Sequence, residues 1–213
     1  MRGRWAAGIV PRNFSWIIKD RLAVSERPGG YARNHRKVRR QEELLWLKAQ
    51  HFDRVVSLLG STHNLHAYDE LGLTWSHFAL PQGADLTVPL SGLYPSLYVW
   101  LRDGERLLVH QDELGDRLMG VIAGYLLWSA LIPDGPRVIT AAEQLLKRQM
   151  GAAGRQIVAL AAELPPPGKL RPPPVAPTPA PPPLPGDAIE GPSAPRDPEP
   201  PADATGGSAG KRT

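Results

Sequence analysis

The segment Leu107-Leu108-Val109 leads through the polar run His110-Gln111-Asp112-Glu113-Leu114-Gly115-Asp116-Arg117 into the long apolar stretch Leu118 to Leu131. A short buried-strand pattern followed at once by a buried-helix pattern is a βα unit. Its strand must be covered on both faces, which points to a parallel sheet between helix layers. The loop between the two elements sits where backbone N–H groups and a helix N-terminus converge, a generic place for an anion.

Elsewhere the chain repeats the same alternation. Phe14 to Ile18 and Arg21 to Ser25 are expected as two short strands around Lys19-Asp20, before the break at Pro28-Gly29-Gly30. Lys37 to His51 carries Leu44, Leu45, Leu47 and then Phe52 among charges, an amphipathic helix. Val55 to Leu59 is a buried strand, Asn64 to Leu71 a brief helix and Trp75 to Leu80 a strand stopped by Pro81-Gln82-Gly83. Pro95 to Arg102 is expected as a helix with Pro95 in its first turn, where a missing N–H is harmless. Thr140 is expected to cap a helix running through Met150, with Glu143 as its capping-box partner. Gln156 to Leu164 closes the series. The implied fold is an α/β three-layer domain with a short, mostly parallel central sheet flanked by helices.

Proline marks where folding stops. Of the 24 prolines, 17 fall between Pro165 and Pro201. That stretch has few aromatic or β-branched residues, so burial does not offset its ordering entropy. The expected organisation is an N-terminal extension at 1–10, one domain at 11–164 and a disordered proline-rich tail at 165–213. Pro174-Val175-Ala176-Pro177 and Pro181-Pro182-Pro183-Leu184-Pro185 can adopt polyproline II and dock on an aromatic groove.

The net charge is +4, and the tail is balanced between five basic and five acidic residues, so the surplus belongs to the domain. It is concentrated at Arg33 to Arg40, a solvated basic segment or a contact for a polyanion. There is no cysteine, which excludes disulfides, thiolate chemistry and Cys-ligated metal. His63, His66, His77 and His110 lack metal-ligand spacing, so no metal and no cofactor is implied. Trp16, Trp46, Trp75, Trp100 and Trp128 fall on apolar faces. Neither a secretory leader nor an apolar run of membrane-spanning length stands out, and a cytoplasmic location is expected.

Asn13-Phe14-Ser15-Trp16, Arg21-Leu22-Ala23, the order of elements and the His110-to-Arg117 spacing together resemble the small atypical dual-specificity phosphatases of the protein tyrosine phosphatase superfamily. The resemblance spans about residues 11–160. It implies a phosphate loop in which a cysteine nucleophile follows a histidine, an arginine grips the phosphate bidentately, and a distant aspartic acid protonates the leaving group. In this chain His110 and Arg117 keep their places, but Gln111 occupies the nucleophile position. Gln82 stands at the general-acid position after Pro81. Leu118 replaces the hydroxyl residue that follows the arginine, and Leu114 replaces a loop glycine. Asp85 is three residues beyond the acid position.

Glutamine forms no thiophosphate, so the family's covalent route is closed. Asp112, Glu113 and Asp116 add negative charge beside the loop, where they repel a dianion. They are expected to cap the following helix from within and to pair with Arg117. The resemblance thus implies a pseudophosphatase that binds a protein partner, phosphorylated or not. Two alternatives stand beside it: a hydrolase of the same fold using Asp112 or Glu113, and a polyanion binder working through Arg33 to Arg40.

Overall fold

The computed structural model describes residues 8–30, 37–62, 65–81, 83 and 85–168. Among these, five strands form one sheet: β1 (Ser15–Ile18), β2 (Leu22–Glu26), β3 (Arg54–Ser57), β4 (Thr74–His77) and β5 (Leu107–Gln111). Their order is β1-β2-β5-β3-β4. β1 pairs with β2 antiparallel, and the other three pairings are parallel. The three central strands carry the apolar runs that two-sided burial demands.

Alternation along those strands divides the core. Leu22, Val24, Val56, Leu107 and Val109 face one side, beneath α3 (Thr87–Arg102), α4 (Asp116–Trp128), α5 (Gly135–Leu146) and α6 (Ala152–Glu163). Ala23, Val55 and Leu108 face the other, beneath α1 (Lys37–Ala49) and the single-turn α2 (His66–Asp69). The sheet period of two therefore separates two cores, giving the expected three layers. Among the described residues no helix is long and apolar enough to cross a membrane.

Several expected boundaries move. The helix placed at Pro95–Arg102 begins eight residues earlier, at Thr87, and Pro95 lies in its interior. Asp85 accepts hydrogen bonds from the Thr87 N–H (2.9 Å) and hydroxyl (2.6 Å), and Pro89 takes the first turn where proline is harmless. Pro95 removes only the donor to the Ser91 carbonyl, and packing of Leu90, Leu93, Tyr94 and Leu97 into the core outweighs that loss.

Thr140 is not a cap either. α5 starts at Gly135 behind Asp134, whose carboxylate accepts from the Arg137 N–H at 2.8 Å. Glu143 instead accepts from the Met150 N–H (2.9 Å) and Arg155 (3.3 Å), joining α5 to α6. Leu45 lies on the outer side of α1, and buried Glu43 takes an inward place beside Leu44 and Leu47. Trp128 is buried, while Trp16, Trp46, Trp75 and Trp100 are half-buried against the two cores. Gln82, His63, Arg33 to Arg36 and the tail beyond Gly168 lie outside the described residues.

Candidate phosphate-loop site

β5 delivers His110 and Gln111 to the C-terminal edge of the sheet, with Ser25 and Ser57 beside His110 and Glu26 beside Gln111 in register. This edge is where ligands meet open parallel sheets. Gln111 is half-buried at the head of the loop. The loop turns at Asp112 to Leu114 and enters α4 behind Gly115, whose extended backbone offers no side-chain cap. Among the described residues, no backbone N–H from Asp112 to Arg117 has an acceptor outside the sheet and helix ladders. Leu114 tucks into the core, and its carbonyl receives the Arg148 guanidinium at 2.9 Å. Leu118 is fully buried.

The three carboxylates do not fill this loop as expected. Asp112 turns outward to Arg27 at 3.2 Å. Asp116 reaches α6, accepting from the Gly151 N–H at 2.6 Å and the Gly154 N–H at 2.8 Å. That carboxylate caps the N-terminus of a different helix from the one it begins, because α4 and α6 pack closely enough to bring the two ends together. The Glu113 carboxylate folds back over Gly115. Arg117 pairs with none of them. Its Nη2 donates to the carbonyls of Pro81 (2.8 Å) and Leu80 (3.4 Å), and its Nε is buried with no acceptor among the described residues. The side chain is anchored on the Leu80-Pro81 segment and forms no ion pair among the described residues.

The Asp116 contact carries a stability prediction. Asp116→Ala frees two amides at the start of α6 and removes a charge favourably placed at a helix N-terminus. It is expected to lower stability by about 1–2 kcal/mol in urea titration. A carboxylate that instead occupied the loop would leave stability nearly unchanged on removal.

His110 is fully buried, and Nε2 shares a 2.9 Å hydrogen bond with the Tyr68 hydroxyl. Nδ1 has no partner among the described residues. Burial, assisted by Arg27 and His77, lowers the His110 pKa to about 3, so the ring is neutral at physiological pH. Burial also raises the Tyr68 pKa well above the usual phenol range. The sequence reading missed Tyr68, and it missed Arg27 and Glu43. Glu43 holds the turn after β2 in place through the Gly29 N–H (2.6 Å), while Arg39 one turn earlier on α1 donates to its other oxygen (2.8 Å). No local pattern marks these residues, since each acts across elements far apart in sequence. His77 bonds the Leu59 carbonyl at 2.7 Å, and no cluster of potential metal ligands occurs among the described residues.

The β5 strand that ends in His110 and Gln111, the loop after it and the apolar α4 that begins with Asp116 and Arg117 belong to a fold shared with dual-specificity and tyrosine phosphatases. Solved structures with this fold match across most of the chain. Kinase associated phosphatase, with its catalytic cysteine replaced by serine, superposes with a TM-score of 0.60 at 18% identity, over 73% of this chain and 99% of that one. Tk-PTP in its active form gives 0.57 at 18% identity, over 71% and 97%. A human DUSP28 variant gives 0.54 at 14% identity, over 72% and 96%. No protein-family model and no curated protein sequence matches the chain.

Proposed function

We propose that this chain is a binding or regulatory module built on the phosphatase fold, acting on a protein partner and not by hydrolysing phosphate esters. The observation that carries the reading is Gln111 at the end of β5, heading the loop where a cysteine phosphatase needs its nucleophile. An amide side chain has no lone pair basic enough to attack phosphorus and no ionisation to activate it. Arg117 supports the same reading. The group that would grip two phosphate oxygens is bonded to the Pro81 and Leu80 carbonyls.

The competing enzyme reading assigns the chemistry to Asp112 or Glu113. Asp112 is held by Arg27, the Glu113 carboxylate folds back over Gly115, and both residues are exposed. The test is release of inorganic phosphate from an aryl phosphate by the wild type, Asp112→Asn and Glu113→Gln. All three are expected at the protein-free rate. A wild-type rate that drops in either variant sinks the reading.

A further inference from the structure

A groove of about 260 Å³ lies where the C-terminal ends of α3 and α4 meet the end of β1, lined by Ile18, Tyr98, Leu101, Tyr125 and Leu131 beside two arginines. We propose that it binds a small amphipathic carboxylate, with Arg21 and Arg102 meeting the anion and Ile18, Leu101 and Leu131 covering the apolar body. Arg21 precedes β2, and Leu101 and Arg102 precede β5, so the groove opens at the N-terminal edge of the parallel strands. His110 and Gln111 lie at the opposite edge. The site is thus separate from the phosphate loop and independent of the function proposed for that loop.

Charge selects an anion. Among the described residues the lining holds Arg21 and Arg102 and no carboxylate. Arg21 donates to the Leu101 carbonyl and forms no ion pair among the described residues. A guanidinium fixed on one edge is pre-organised to meet an anion with its remaining N–H groups. Asp103 stands 3.6 Å from Arg102, but both side chains are more than half exposed. Such a pair contributes little and leaves Arg102 available. The surplus matches a single negative charge.

The other polar groups select a carboxylate on an apolar body. Neither the Tyr98 nor the Tyr125 hydroxyl has a hydrogen-bond partner among the described residues. Burial, and then the neighbouring Tyr98, hold the Tyr125 phenol above its usual range, so it keeps a proton to donate. Ser129 gives its own proton to the Leu126 carbonyl at 3.4 Å. Guanidiniums and phenols thus present donors, and a carboxylate only accepts, whereas a peptide backbone brings donors of its own. The apolar lining is open to a ligand: Leu131 is 56% exposed, and Ile18, Tyr98 and Leu101 are half-buried. The volume is just under the range for drug-sized ligands, which suits one ring on a short chain.

The test is an NMR titration of the full-length chain with 4-phenylbutyrate and its neutral counterpart 4-phenylbutanol at millimolar concentration. The acid is expected to shift the amides of Leu101, Ser129 and Leu131, and the alcohol to bind about tenfold more weakly. Arg102→Glu and Leu131→Asp, both at exposed positions that the fold tolerates, should each weaken the acid by threefold or more, roughly. Arg21→Gln should weaken it about tenfold; where loss of the Leu101 contact unfolds that variant, the two exposed positions decide. Equal affinity for acid and alcohol, indifference to both exposed substitutions, or no shift at the groove overturns the proposal. Tighter binding of acetyl-Pro-Pro-Pro-Leu-Pro-amide, which carries no anion, overturns it as well and assigns the groove to proline-rich segments.

Discussion

Gly120→Val is expected to destabilise the fold by about 3 kcal/mol, lowering the melting temperature by roughly 10 °C. The reason is the crossing of α4 and α6. A Cβ added at Gly120 meets the Gly154 Cα and carbonyl oxygen at 2.6 Å, closer than carbon side chains approach backbone. One turn on, a Cβ at Gly124 meets the Tyr94 hydroxyl and, at 2.9 Å, the Ala161 Cβ. Gly120 and Gly124 lie on one face of α4 and let α6 lie almost backbone to backbone against it. Backbone cannot rotate aside as a flexible side chain can, so the helices must separate. Separation loosens Ile157, Val158 and Ala161 from the core and pulls Gly151 and Gly154 from Asp116. The gain in helix propensity from replacing glycine is well under this loss. Thermal unfolding followed by circular dichroism reads the effect, and an unchanged melting temperature contradicts the crossing described.

The second large effect is a dependence of stability on pH set by His110. The folded chain holds this ring neutral until about pH 3, whereas in the unfolded chain it takes up a proton near pH 6.5. Between those values the unfolded state binds more protons, so stability rises with pH and is fully present above about 6.5. Acidification through the window removes up to about 1.4 kcal/mol per pH unit. His110→Gln does not titrate and retains an amide for Tyr68, so its stability should fall less steeply between pH 6.5 and 4.5. Denaturant titrations of both proteins at the two pH values measure the difference in slope. Parallel slopes contradict a neutral buried ring at this position.

These two features mark where the sequence is legible and where it is not. The apolar runs around Leu22, Val55 and Leu107 announce central strands, because two-sided burial leaves a continuous pattern that needs no distant information. The βα unit at 107–131 likewise places the loop, with Gln111 and Arg117 at its two ends. Local signals fail where two of them compete. Pro89 and Pro95 both suit a first helical turn, and only the core contacts of Leu90 and Leu93 decide for the earlier start. They fail more completely for side-chain direction. Asp112, Glu113 and Asp116 look alike along the chain, yet one meets Arg27, one folds back and one caps α6. The choice depends on elements 35 and 38 residues away in the case of Asp116. The close crossing at Gly120 is hidden for the same reason. A glycine in an apolar helix reads as a weak helix former until its neighbour is known.

Single-turnover kinetics separate a phosphatase fold that binds from one that also hydrolyses. With the protein in large excess over a chromogenic aryl phosphate, even one slow phosphoryl transfer per molecule becomes visible. Aryl alcohol release is expected at the buffer rate for the wild type, unchanged in Arg117→Gln. Stoichiometric release by the wild type that disappears in Arg117→Gln would contradict it, since it would place Arg117 on a reacting phosphate and not on the Pro81 carbonyl.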